Sequence, residues 1–274
     1  MANFDIRRFG LVLRWMAVST RKEVLSNTGA MFFAYMVVFV TNMLLSRNAN
    51  FMDSANMLLF AIIMNSIIFL IVCIIGGSWI IKNMKTKEQY IMFMTLPASD
   101  IEKFAARALY VTVGLVLMSF SAYCLADVFR IVMSVMTGVN VVACTIPRLL
   151  SCVFCIYGVM SGVPPESLLG KVMMCVASCA WLFCVNSIYV LGGVFFRRRK
   201  FVLTSCCFFG LGVVFSMVKF ILFGGNVPIV TNDNFVACAI ANCAVFILWG
   251  VINWWLAYRL FRRMQVINNK WINL

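Results

Sequence analysis

Histidine is absent from these 274 residues, acidic residues number 9, prolines 5, and charged residues of any kind make up 12%. Each shortage excludes something. Without an imidazole there is no His general base, proton relay or metal ligand. With apolar residues at 64%, against roughly 45–50% in soluble domains that are about 25% charged, the chain has too little polar surface for a water-soluble fold of this size. No G-x-x-x-x-G-K-[ST] occurs; the nearest candidate, Gly170-Lys171, runs into Val172 and lacks the earlier glycine. No backbone loop of that kind is available to cradle nucleotide phosphates. No His, Cys or carboxylate constellation points to a site, so catalytic residues, cofactors and metal ligands are all expected to be none, and the chain is not expected to be an enzyme.

What is present is apolar length and positive charge. Lys and Arg total 23, for a net charge of +14, which calls for an anionic partner. The bases sit in short islands between long uncharged runs instead of tiling one face, so the partner is phospholipid and not nucleic acid. A bilayer core needs about 20 apolar residues in a helix. Windows of that kind predict an all-α integral membrane protein, a single transmembrane domain over 1–274, with six spans near 27–46, 56–81, 104–130, 171–196, 201–223 and 235–259. The fifth contains Lys219 near its end, where a long stem can snorkel to the headgroups. Alternate loops place 18 Lys and Arg on one side and 5 on the other, which predicts both termini in the cytoplasm. The start does not read as a cleavable signal peptide, because five bases precede the first apolar run. The stretch 131–165 is apolar but broken by Gly138, Asn140, Pro147, Arg148, Gly158, Gly162 and Pro164-Pro165. It reads as a segment folded against the outer face; the alternative is an extra hairpin giving eight spans.

Two cytoplasmic segments carry further information. In 4–24, Arg7, Arg14 and Arg21 recur every seven residues, opposite Ile6, Phe9, Leu13, Met16, Thr20 and Val24. This predicts an amphipathic interfacial helix, with Trp15 and its apolar side in the acyl boundary and the Arg stripe near anionic headgroups. It serves as a plain anchor or also docks a partner. Farther on, Ser99 and Glu102 have the spacing of a capping box, and Asp100 adds negative charge at the helix start, so the third span helix should begin at about Asp100. Pro97 ends any helix before it, leaving 86–96 as a short separate helix with Lys87, Glu88, Tyr90, Ile91, Phe93 and Met94. Its apolar residues either meet a partner or pack under their own bundle.

The order of parts, with Glu88 followed by Leu96-Pro97-Ala98-Ser99 and then Lys103 and Arg107 leading into a span, resembles the ABC type-2 exporter permeases. The stretch WLFCVNSIYVLGGVFFRRRKFVLT, residues 181–204, is similar to the junction of the fourth and fifth spans in small bacterial permeases of this kind. The resemblance implies a subunit of the bacterial cytoplasmic membrane that pairs with a second permease copy or a homologous permease and with separate ABC ATPase subunits. It further implies that ATPase motion reaches the spans through the 86–96 coupling helix, driving outward movement of an amphipathic or lipid-like substrate. The rival reading is a non-transporting membrane scaffold that recruits a cytoplasmic partner. One departure from the family is plain. Its re-entrant outer helices usually lie between the last two spans, where only 224–234 is available here, which leaves 131–165 as the candidate outer element.

Several polar features lie within the apolar runs. Asp127 and Arg130, at i and i+3, can neutralise each other and read as a structural ion pair. Asn42, Asn65, Asn186, Asn242 and Asn253 either hydrogen-bond between helices or line a path. The spans carry no midplane carboxylate cluster, which argues against a carrier driven by protons or sodium. Most of the twelve Cys fall within spans and read as packing residues. Cys152 and Cys155 form one C-x-x-C, short of a zinc site and open to a disulfide. Gly158 and Gly162 have the G-x-x-x-G spacing of a weak dimerisation signal.

Overall fold

The computed structural model describes residues 4–48, 54–81, 87–137, 143–161, 167–196, 199–223 and 234–263. These are 92% helical with no strand among them. Six helices are long and apolar enough to cross a membrane: Arg21–Leu45, Asn56–Ile81, Asp100–Thr137, Leu168–Phe195, Lys200–Val218 and Phe235–Arg263. In chain order the helices are α1 (Ile6–Ser19), α2 (Arg21–Asn48), α3 (Ser54–Gly77, tightening into a 3₁₀ turn at Ser78–Ile81), α4 (Lys87–Met94) and α5 (Asp100–Leu109). A π turn at Tyr110–Gly114 carries α5 into α6 (Leu115–Thr137); then come α7 (Ile146–Phe154), α8 (Ile156–Ser161), α9 (Leu168–Phe195), α10 (Lys200–Phe223) and α11 (Phe235–Arg263). The expected outer loop at 49–53, the bases Lys82, Lys85, Arg197, Arg198 and Lys270, and Gly138, Asn140, Gly162 and Pro164-Pro165 lie outside the described residues.

Three expectations are corrected. The helix expected over 4–24 is divided at Thr20, a single turn residue between α1, which stops at Ser19, and α2, which starts at Arg21; Arg21 and Val24 belong to α2. Its buried stripe is Val12, Met16 and Thr20, whereas Ile6 is 76% exposed. The third span helix is longer than 104–130. It runs Asp100–Thr137, so the first seven residues of the expected outer segment continue it. At 1.5 Å per residue that helix is about 57 Å long, well beyond a hydrocarbon core of about 30 Å. The rest of the outer segment forms α7 and α8, of nine and six residues. Among the described residues neither is long enough to cross.

The helices form two compact units. The first takes Met1–Phe9, Ile74–Val111 and Phe154–Leu274. Lipid tails are as apolar as leucine, so helices in a membrane associate through close fit and interhelical hydrogen bonds, not through escape from water. Accordingly α9 meets α11 through small residues, with Ala177, Ala180, Ala239 and Cys243 buried beside Tyr157 and Phe235. A side chain at Gly250 would strike the Phe183 ring, and Asn253 donates to Ser187 Oγ at 3.1 Å. The 3₁₀ turn after α3 crosses α9 backbone to backbone: a Cβ on Gly77 would lie 2.7 Å from the Asn186 carbonyl oxygen, and one on Gly193 2.9 Å from that of Ser78.

The second unit takes Gly10–Cys73 and Thr112–Val153. Here α2 packs on α6 through aromatic and hydroxyl groups. Tyr35 and Ser119 share a hydrogen bond of 2.6 Å, the Tyr35 ring meets Tyr123 edge-on at 5.4 Å, and Phe39 lies 5.9 Å from the same Tyr123 ring. α3 buries Ala61, Ile62, Asn65, Ser66 and Phe69, which recur at helical spacing on one face.

The glycine crossing yields a paired prediction. Gly77→Ala should lower stability by about 1–3 kcal/mol, since the new methyl meets backbone that cannot rotate away. Gly210→Ala, where nothing lies within 4 Å, should be neutral or stabilise by up to about 1 kcal/mol through helix propensity. Thermal unfolding of the purified protein in detergent checks both; equal effects would contradict the crossing.

Candidate functional site: the elbow between α4 and α5

The elbow is built on Ser99. Its backbone is extended, with φ −69° and ψ 154°, as an N-cap requires. The Glu102 amide donates to Ser99 Oγ at 3.3 Å, and the Ser99 amide donates to Glu102 Oε2 at 2.9 Å. The capping box read from the sequence is therefore formed, and α5 begins at Asp100 as expected. The structure adds a second duty for the same carboxylate. Glu102 Oε1 accepts the Asp5 amide at 2.9 Å and lies 3.5 Å from Arg8 Nη2. Asp5 in turn accepts the Arg7 amide at 2.9 Å and lies 3.8 Å from Arg8 Nε. One fully buried carboxylate thus ties the start of α1 to the start of α5. S-x-x-E spacing exposes the cap but says nothing of residues 97 positions away.

The next two turns of α5 hold α4. Lys103 Nζ donates to the Met94 carbonyl at 2.7 Å, capping one of the carbonyls left open at the C-terminus of α4, where a cation is also favoured by the helix dipole. The Arg107 guanidinium lies 4.8 Å from the centre of the Phe93 ring, a cation–π distance. Lys103, Arg107 and Phe93 are all buried. On the other side of α5, Phe104 meets Trp254, Tyr258 and Phe261 of α11 at 5.9, 5.5 and 5.4 Å. A short helix, a proline-bearing bend and the start of a membrane-length helix therefore form one packed piece.

This divides the residues expected to act together on the short helix. Phe93 is 1% exposed and belongs to the elbow, so the expectation that it meets an outside partner is corrected. Met94 is partly buried, whereas Glu88, Ile91 and the neighbouring Met92 are exposed. Lys87 and Tyr90 lie in α4. On α1 and the start of α2, Arg7, Arg14 and Arg21 are exposed, while Phe9, Leu13 and Trp15 are partly buried.

The remaining polar residues resolve by unit. In the second unit Asp127 and Arg130 pair at 2.9 Å inside a larger network. Thr145 donates to Asp127 through its hydroxyl at 2.7 Å and its amide at 3.0 Å, and Cys144 Sγ lies 3.5 Å away. Arg130 also donates to the Ala143 carbonyl at 2.7 Å. Since the Thr145 hydroxyl gives its proton to Asp127, Tyr123 must be the donor in their 2.6 Å bond. The pair therefore pins residues 143–145, just before α7, onto α6. Tyr123 and Thr145 were not singled out from the sequence, although Tyr123 lies four residues before Asp127 on the same helical face.

In the first unit Asn242 donates to Tyr157 Oη at 2.8 Å. Ser178 Oγ accepts the Tyr157 amide and has its single proton between the Phe154 carbonyl at 2.7 Å and the Met174 carbonyl at 2.8 Å, meeting groups left by the helix break at Cys155. Asn242 and Asn253 are thus helix tethers. Gly158 packs against Met174 within the unit, none of the twelve cysteines, Cys152 and Cys155 included, is in a disulfide, and among the described residues no group of three or more His, Cys, Asp or Glu is placed to hold a metal ion.

Breaking the buried ion pair should be costly. Asp127→Ala leaves Arg130 and the Thr145 amide without their acceptor and should cost about 3–5 kcal/mol. Asp127→Ala with Arg130→Met should recover part of that loss. Thermal unfolding of single and double variants checks it; a double variant less stable than Asp127→Ala would refute the pairing. No protein-family model, curated protein or solved structure matches this chain.

Proposed function

We propose that this chain is the permease subunit of an ABC-type exporter in a bacterial cytoplasmic membrane, moving an amphipathic or lipid-like substrate with energy from separate ATPase subunits. The observation that carries the reading is the elbow. Glu88, Ile91 and Met92 stand exposed on a helix whose other side is locked by Lys103 and Arg107 to the base of a helix continuous from Asp100 to Thr137. In this reading a push on α4 is passed to the base of that helix, to which α4 is bound. In this reading α4 is the coupling helix, α1 lies in the cytoplasmic interface with Arg7 and Arg14, followed by Arg21 at the start of α2, toward anionic headgroups, and a second permease copy or a homologous permease completes the transporter. Both termini face the cytoplasm. ATP is hydrolysed by the partner, since this chain's sequence has no phosphate-binding glycine loop.

Two measurements test it. Ile91→Asp and Met92→Asp should reduce retention of the co-expressed ATPase at least tenfold with membrane yield unchanged, whereas Phe93→Asp should lower the yield itself. Normal ATPase retention in Ile91→Asp with Met92→Asp would remove the coupling role and leave the scaffold reading, provided another soluble protein is retained. For orientation, a single cysteine at position 50 in a Cys-free background should react with an impermeant maleimide in intact cells. Labelling only after the cells are opened would invert the arrangement.

A further inference from the structure

On α11 the side chains of Val245, Leu248, Ile252 and Trp255 are exposed and recur at helical spacing on one face. The same face continues into Arg259, Arg262 and Arg263, which are exposed as well. The Arg259 guanidinium lies over the Trp255 ring, 5.3 Å from its centre, a cation–π distance. None of these arginines forms an ion pair among the described residues, and no Asp or Glu follows Asp233 in the sequence. We propose that this end of α11 is a binding site for an acidic phospholipid, with the phosphodiester held by the arginines and the top of an acyl chain lying along Trp255 and the apolar stripe.

Depth selects a lipid over a soluble anion. From Phe235 to Trp255 the helix rises about 30 Å, the thickness of a hydrocarbon core. Arg259 stands one turn farther along, in a headgroup layer about 5–8 Å thick. Arg262 and Arg263 lie at its outer edge, where long stems reach back toward the phosphates. An acidic soluble protein would meet the last two arginines but not Trp255 and the stripe behind it. The helix end does not use up the charge, since its dipole amounts to about half a negative elementary charge against three guanidiniums. Stacking also leaves the donors of Arg259 in play. The indole covers a face of the guanidinium, while the N–H groups lie in its plane and can grip two phosphate oxygens. A zwitterionic headgroup carries its own cation and gains less from such a cluster than an acidic one does. The inference uses the length and exposed face of α11 and does not rest on the transport reading.

The test is ¹⁹F NMR of the full chain labelled with fluorotryptophan in phosphatidylcholine nanodiscs, the Trp255 resonance being assigned by its loss in Trp255→Phe. Replacing part of the lipid by phosphatidylglycerol with the same acyl chains should shift that resonance and saturate. Each of Arg259→Gln, Arg262→Gln and Arg263→Gln should raise the lipid fraction at half-saturation about fivefold, the contribution of one base near an anionic surface. All three side chains are exposed, so the variants should fold, and Arg259→Lys should fall between wild type and Arg259→Gln. Arg7→Gln with Arg14→Gln, which removes charge from α1 instead, should leave the titration unchanged. A shift that never saturates, that survives all three α11 substitutions together, or that inorganic phosphate reproduces in phosphatidylcholine alone would overturn the site. Equal weakening by the α1 variant would show a general surface-charge effect and overturn it too.

Discussion

Inside hydrocarbon a polar group has no water to return to, and this constraint shapes both units. Most of the buried polar groups described find a partner in the protein. The partners they find are what fix the irregular parts of the chain. Asp127 illustrates the point: its charge is neutralised by an arginine one turn away, and its remaining acceptor capacity is filled by Thr145, which draws the segment before α7 onto α6. Ser178 does the same in the other unit. The break between α7 and α8 leaves the Tyr157 amide and the Phe154 carbonyl outside a regular ladder, and one hydroxyl meets both.

Close packing is the second consequence. Helices that gain nothing by leaving lipid must approach until dispersion and weak polar contacts accumulate. Gly77 and Gly193 allow the 3₁₀ turn after α3 to lie against α9 at a separation that admits no β-carbon. Gly250 does the same for Phe183. α10 differs: it is tied near its start by Phe201 stacked on Tyr189 and by the Tyr189–Ser205 hydrogen bond, and from Cys206 onward its described side chains are exposed. Lipid or another subunit is the natural cover for such a surface.

The elbow joins these themes to function. A carboxylate, an ammonium and a guanidinium are buried within six residues of one another in sequence, and each completes a particular piece of local geometry: Glu102 the cap and the N-terminal tie, Lys103 the end of α4, Arg107 the face of Phe93. Charged groups are seldom buried for stability alone. Here their combined effect is to hold α4, the bend after it and α5 together as one packed piece.

The sequence alone determined the all-α class, the six helices long and apolar enough to cross a membrane among the described residues, the capping box at Ser99 and the separateness of α4, because each depends on short-range rules: apolar run length, residue spacing along a helix, and the backbone limits imposed by proline. It also located the Asp127–Arg130 pair, since i, i+3 neighbours meet on any helix. Only the tertiary structure decided which side of α4 is free, because Phe93 and Ile91 are equally apolar and only Arg107 distinguishes them. The same holds for the buried stripe of α1, for Glu102 reaching Asp5 and Arg8, and for the asparagines. Asn242 and Asn253 meet Tyr157 and Ser187 across long sequence separations, while Asn65 meets none among the described residues. Five identical amides on apolar helices carry the same local signal, and what separates them is the identity of the atom opposite, which packing alone supplies.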